Sequence, residues 1–251
     1  MTANDELFDR PAAMRLAAVE RLDLTGEDRI AGLVTGAGYP NSLEPIAAAL
    51  RNQQGPVLDL GAGLGAASAW LSERAGIPVV GVEPEGRAAA LGRRAFPGLP
   101  MACGSADAVP VRSGSCGGVV MLGVLSLVAD LDAALGEALR VVRPGGVVGV
   151  TDLCLAEGAV LPSGANVFRS SRRLAQALEA RGCTVTDVWG APGTLDTRWG
   201  AITKRVDDEI TARHEGTDAL RAWNDDREHL HDLIVEEVLE IATIIALAPA
   251  V

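Results

Sequence analysis

The sequence predicts an α/β fold: a Rossmann-like, mostly parallel seven-stranded sheet with helices on both faces, an N-terminal helical cap, and a helical insertion before the last strand. Three observations carry that expectation. From residue 54 onward, short apolar runs of strand length alternate with helix-length segments, the pattern of a parallel sheet covered on both faces. The first run ends in glycines and opens into a helix. Of 251 residues 48% are hydrophobic but only 3% aromatic, so a full core is available and must be built from Ala, Val, Leu and Ile.

The elements follow in order. Residues 11–22 read as a helix that Pro11 can open, and 27–34 continue in apolar periodicity. Asn41 or Ser42 is placed to cap a third helix, with Glu44 set for a capping box and Pro45 tolerated in the first turn. The Gly-Ala-Gly-Tyr-Pro loop at 36–40 is long enough to fold over a ligand. Strands are expected at 56–60, 77–82, 99–103, 119–124 and 147–153, with helices at 64–74, 85–94 and 130–142 and a turn at 143–146. Beyond them come a helix at 171–181, a strand at 183–189, helical sequence over 199–240 and a last strand at 241–248. The chain reads as one domain over 1–251. Its cap is 1–53, its cofactor-binding core 54–153, and its substrate-side half 154–251, with specificity expected in the helical insertion.

Charge narrows the partners. Lys and Arg total 22 against 33 Asp and Glu, a net charge of −11, and Lys204 is the only lysine. Such a surface repels phosphodiester backbones and anionic lipid, so neither nucleic acid nor membrane is expected as a partner. Cys103, Cys116, Cys154 and Cys183 lie far apart without a CxxC pair, which reads as reduced, buried thiols and no metal site. The acidic N-terminus lacks the basic and apolar regions of a signal peptide, and 241–251 is too short to span a bilayer; a cytoplasmic protein is expected. The oligomeric state stays open, a homodimer included.

The sharpest motif is Asp59-Leu60-Gly61-Ala62-Gly63-Leu64-Gly65, between the first strand and the following helix. Glycines let the chain turn tightly and let its backbone lie against a ligand, while the helix start offers free N–H groups. Glu83 ends the second strand, where a carboxylate can accept from two vicinal ribose hydroxyls. The shape is that of a nucleoside-cofactor site. Gly61, Gly63 and Ala66 also satisfy the degenerate dinucleotide fingerprint, so a nicotinamide-dependent oxidoreductase competes. Three features weigh against it. Asp59 suits a cationic amino group and repels a pyrophosphate. A helical stretch precedes the first strand. Tyr39 has no lysine four residues on.

These residues resemble the class I S-adenosylmethionine-dependent methyltransferases. Residues 57–65 are similar to that family's first motif and Glu83 to its ribose-binding acid. Gly104-Ser105-Ala106-Asp107-Ala108-Val109-Pro110 resembles its adenine-side segment, residues 121–125 its fourth-strand end, and 139–146 its turn into strand five. The resemblance covers residues 54–153 well and the final strand more loosely. It implies S-adenosyl-L-methionine as cofactor. Asp59 would hold the methionine amino end, Gly61, Ala62, Gly63 and Gly65 would give close backbone approach, and Glu83 with Pro84 would take the ribose. Ser105 and Ala106 would lie beside adenine, Leu122 would touch the cofactor, and Tyr39 would cover it. Two departures stand out: Ser105 occupies the acid's usual place, with Asp107 two residues on, and Cys116-Gly117 replaces Phe-Asp.

Methyl transfer is an in-line displacement, so the enzyme's main task is alignment, with a base required for hydroxyl or carbon nucleophiles. His214, Asp152 and Asp196 are the candidates for that role. The expected substrate is a small organic molecule accepting at O, N or C. A cofactor-binding subunit that no longer catalyses is the remaining alternative.

Overall fold

The computed structural model describes residues 3–36, 38–160, 167–191 and 197–250. Three helices come first: α1 (Ala3–Arg21), α2 (Gly26–Leu33) and α3 (Pro40–Leu50). Then follow β1 (Val57–Leu60), α4 (Ala66–Ala75), β2 (Val79–Glu83), α5 (Gly86–Ala95), β3 (Met101–Cys103), β4 (Cys116–Leu122), α6 (Leu131–Val141) and β5 (Val142–Leu155). The chain continues with α7 (Ser171–Glu179), β6 (Thr184–Ala191), α8 (Thr197–His214), α9 (Asp218–Val235) and β7 (Leu239–Leu247). The sheet order is β3-β2-β1-β4-β5-β7-β6. Strands β1 to β5 pair in parallel, and β7 runs antiparallel to both β5 and β6. This is the expected Rossmann-like architecture.

Strand periodicity decides which residues face which helices. Successive side chains of a strand point to opposite faces. Val57 joins a core with Val79, Val120, Leu71 of α4 and Leu43 of α3, whereas Leu58 and Leu60 join one with Val119, Met121 and Leu135 of α6. Asp59 therefore shares the α4 face with Val57. After β3 the chain returns across β1 to lay down β4, so the loops leaving β1 and β4 diverge and a crevice opens at their carboxyl ends. That topological switch point is where the glycine motif lies.

Several local expectations are corrected. Pro11 lies inside α1 rather than opening it, because the helix starts eight residues earlier. Tyr39, not Asn41 or Ser42, is the N-cap of α3; Pro40 takes the first helical position and the Ser42 hydroxyl donates to Tyr39 O at 2.8 Å. The turn at 143–146 is drawn into β5 as a bulge, since pairing passes from Cys116↔Val142 to Gly118↔Val147. The helical run before the last strand is broken into α8 and α9 at Gly216 (φ +77°), with the Thr217 hydroxyl accepting from Leu220 N–H. Cys116, Cys154 and Cys183 are buried free thiols, but Cys103 is exposed.

Helices α8 and α9 complete the cap by docking on α1 and α2. The Trp199 indole of α8 is buried and donates to Glu27 Oε1, and the Thr203 hydroxyl donates to Ala31 O. At the centre is a charged triad. Asp207 Oδ1 accepts from buried Arg15 at 3.0 Å, its Oδ2 accepts from Arg227 at 2.5 Å, and Arg15 also donates to Gly32 O at 3.1 Å. Burial lowers the Arg15 pKa while Asp207 opposes that effect. Removing Asp207 would leave a buried guanidinium uncompensated. Asp207→Ala is expected to lower stability by about 3–5 kcal/mol. Arg227→Ala, at a half-exposed partner, is expected to cost about 1 kcal/mol or less; urea titrations of both variants check the contrast.

Candidate functional site

The crevice at the switch point is lined by Leu33, Val34, Thr35 and Gly38 of the cap, by Asp59, Gly61, Ala62, Gly63, Leu64, Ala66 and Ala67 of the β1–α4 segment, and by Leu122 of β4. The enclosed part of this crevice is about 40 Å³. Glycine is needed in the loop for two different reasons. A Cβ on Gly61 would come within 2.5 Å of Val124 Cγ2, so this glycine admits the loop that follows β4. A Cβ on Gly63 (φ +55°) would meet nothing within 4 Å, so here the bare backbone borders open space. Gly65 N-caps α4 and lies under Leu99, behind the cleft rather than in it.

Two carboxylates serve this loop. Glu83, buried at the end of β2, accepts from Gly63 N–H at 2.7 Å through Oε2 and from Glu85 N–H at 3.1 Å through Oε1. Gly61 and Ala62 also donate to Val82 O, so the loop is tied to the β2 end by backbone as well. Asp59 is the other. Its Oδ2 accepts from the Ser68 hydroxyl of α4 at 2.5 Å. Its Oδ1 is buried and, among the described residues, is the buried side-chain polar atom without a hydrogen-bond partner. Burial raises the Asp59 pKa to about 7, the Ser68 hydrogen bond opposing and the Glu83 charge adding. A donor entering the cleft, and a cation above all, would satisfy Oδ1.

The rest of the predicted set divides. Ser105 and Ala106 are half-buried on the loop after β3, next to the acid, because Gly104 N–H donates to Glu83 O and Cys103 is the register partner of Glu83. The Ser105 hydroxyl donates to Asp107. Pro84 is exposed at the β2 tip. Leu122 faces the cleft as expected. Tyr39 does not line it: one residue beyond Gly38, its ring turns to the Trp199 ring (centroids 6.5 Å, edge-on), and burial beside Arg15 and Asp207 raises its pKa. Tyr39 thus packs the cap instead of covering a cofactor.

The candidate bases fare similarly. His214 lies in the last turn of α8, roughly 22 Å along the helix from Trp199 at 1.5 Å per residue. It is at the far end of the insertion. Asp196 lies outside the described residues. Asp152 is buried at β5, where Oδ2 accepts from Leu125 N–H at 2.6 Å and Ser126 N–H at 3.3 Å, and Oδ1 from Leu153 N–H at 2.8 Å. Oδ2 serves the backbone of the β4–α6 loop and Oδ1 the next residue of its own strand, so the side chain shapes that loop. Among the described residues no cluster of His, Cys, Asp and Glu could hold a metal.

Sequence reasoning missed six participants. Ser68 holds Asp59. Leu33, Val34 and Thr35 close the cleft from the cap. Arg169 donates to Leu125 O at 2.7 Å and to Val128 O and Ala129 O, gripping from outside the loop that Asp152 holds from inside. Arg140 donates to Val109 O and Val111 O, bracing the loop after β3. Only Ser68 carried a readable signal: it falls in the first turn of the helix behind the glycines.

Comparisons with known proteins fit this geometry. Residues 58–150 match the family model described as a methyltransferase domain. A demethylmenaquinone methyltransferase from Beutenbergia cavernae is 40% identical over 90 residues, which span 36% of this chain and 37% of that protein. The chain therefore matches little more than a third of that relative's length. Among solved structures, the cyclase SpnF superposes with a TM-score of 0.72 at 18% identity, covering 97% of each chain. Phosphoethanolamine N-methyltransferase 2 of Haemonchus contortus, crystallised with S-adenosyl-L-methionine, gives 0.67 at 16% identity over 93% of this chain and 56% of that one.

Two outcomes test the carboxylates. Because the folded-state pKa of Asp59 lies above its ordinary value, its contribution to stability is largest in acid and is lost as pH rises through about 7. The melting temperature of Asp59→Asn relative to the parent should therefore climb between pH 5 and pH 8 in ligand-free protein. Asp152→Ala would strand buried N–H groups. It should cost at least about 2 kcal/mol and speed hydrogen exchange at Leu125 and Ser126, which a mere proton acceptor would not do.

Proposed function

We propose, from the match of residues 58–150 to the methyltransferase-domain family model, that the protein is a class I methyltransferase that transfers a methyl group from S-adenosyl-L-methionine to an O, N or C atom of a small organic molecule. The observation that carries the reading is Asp59 Oδ1, a buried carboxylate oxygen with no hydrogen-bond partner among the described residues, bordering a glycine-lined cleft. An ammonium is what such an oxygen lacks. A pyrophosphate in its place would meet a carboxylate charge in low dielectric, which weighs against a nicotinamide dinucleotide.

The cofactor, when bound, supplies a methyl group on a positively charged sulfur that leaves as a neutral thioether. The chain's own residues supply position. Asp59 would accept from the amino group, and Glu83, held in place by two backbone amides, would accept from ribose hydroxyls. Gly63 leaves room for close approach, while Leu33, Val34 and Leu122 keep water from the cleft. Ser105 and Ala106 would flank the adenine. The insertion α8–α9 lies on the cap and would border the acceptor. An acceptor other than a polyanion is supported by a net charge of −11. No helix among the described residues is long and apolar enough to cross a membrane.

The same fold serves a cyclase, SpnF, so cofactor binding and group transfer need separate tests. Calorimetric titration should give saturable binding of S-adenosylmethionine and S-adenosylhomocysteine and none of NADH. Below pH 7 affinity should weaken by up to about tenfold per pH unit as Asp59 takes a proton, a dependence absent from Asp59→Asn. No heat with S-adenosylhomocysteine at millimolar concentration would overturn the cofactor. A screen of small-molecule pools with methyl-labelled cofactor then tests transfer; binding without label transfer would favour a cyclase-like or non-catalytic role.

A further inference from the structure

Asp59 has two oxygens in different circumstances, and the difference comes from one side chain. Ser68 is the third residue of α4, fully buried, and its hydroxyl donates to Oδ2 at 2.5 Å. A helical serine ordinarily turns its hydroxyl back to a carbonyl of the preceding turn or out to water. This one instead reaches across to β1. The carboxylate plane is thereby fixed at one oxygen, and the other is left against the cleft with no protein donor. Rotated about its side chain, Asp59 could present either oxygen or neither. The Ser68 bond removes that freedom.

We propose that Ser68 is a positioning residue for the cofactor: by holding Oδ2 it aims Oδ1 at the ammonium and keeps the carboxylate in its ionised, receptive form. This rests on the reading of the cleft as a site for S-adenosylmethionine. The charged group facing Asp59 from β2 is Glu83, and from α4 the polar neighbour is Ser68 itself. Glu83 favours a protonated Asp59 and Ser68 opposes it. A hydrogen bond to a carboxylate is shorter and stronger than one between neutral groups. Its loss should therefore be visible as a shift in titration as well as in binding. A serine that merely ties α4 to β1 would affect melting alone.

The test uses Ser68→Ala and Ser68→Thr in the full chain, with carboxyl-labelled aspartate followed by carbon NMR against pH and Asp59→Asn to assign the signal. Ser68→Ala should move the Asp59 midpoint upward by about one pH unit and weaken S-adenosylhomocysteine about tenfold at pH 7. Ser68→Thr, which keeps the hydroxyl, should restore both. An unchanged midpoint in Ser68→Ala, or unchanged affinity at pH 7, overturns the role of Ser68. So does a cooperatively melting threonine variant that behaves like alanine. If the parent protein binds no S-adenosylhomocysteine, the cofactor reading falls. The midpoint then still decides whether Ser68 governs Asp59, so the two failures are told apart.

Discussion

A charged oxygen without a partner, sealed from water, is among the most costly arrangements a protein interior can hold. Among the described residues Asp59 Oδ1 approaches this condition whenever its carboxyl is ionised, in the most central parallel strand of the sheet. Much of the surrounding architecture follows from tolerating it. The β1 face it occupies must look toward α4, so that Ser68 can hold the other oxygen. The loop beyond it must be glycine, so that Val124 fits beneath Gly61 and a ligand fits above Gly63. Glu83 must be stabilised by backbone donors, because its charge and that of an ionised Asp59 on the adjacent strand repel. The site is thus a balance of desolvation against directed hydrogen bonds, which the proposed cationic guest would complete.

Around that balance the carboxyl edge of the sheet is stiffened by polar brackets rather than by a large apolar lid. Asp152 and Arg169 take the N–H and C=O groups of the β4–α6 loop from opposite sides, and both backbone groups of Leu125 are used. Arg140 and Glu137 do the same for the loop after β3, Glu137 accepting from Val109 N–H. Loops cannot hide their backbone groups in a core without partners. In a chain so poor in aromatic residues, ionic side chains are the means available to order them. For an in-line displacement, whose rate falls steeply with misalignment, rigid walls on both sides of the reacting line are what the chemistry requires.

What the sequence made legible was what is local. The alternation of apolar runs, the glycine motif and the acid at the end of β2 are all specified within a few residues of themselves, and all lie where the pattern puts them. Asp152 shows the limit. A carboxylate at a strand end reads the same whether it meets a substrate or three backbone amides, and only the path of the β4–α6 loop tells them apart. Tyr39 and His214 fail for a related reason: their surroundings are made by α8, whose docking on α1 and α2 no local pattern encodes. The bulge at 143–146 was hidden because Arg-Pro-Gly-Gly is turn chemistry in any setting, and the β4 pairing that absorbs it is decided between strands. Ser68 was legible only as a serine in the first turn behind the glycines, because nothing in a helical pattern distinguishes a serine that looks inward.

The ion triad of Arg15, Asp207 and Arg227 has a bearing on how the molecule comes to be competent. Arg15 and Asp207 are 192 positions apart, yet the turn that supplies Leu33, Val34 and Thr35 to the cleft is steadied by helices from both of those regions. Every side chain proposed to touch the cofactor is synthesised in the first half of the chain. The wall that shuts the cleft is consolidated only when α8 has emerged and docked. Chains that lack α8 would thus carry a complete set of ligand-facing residues in an unfinished chamber.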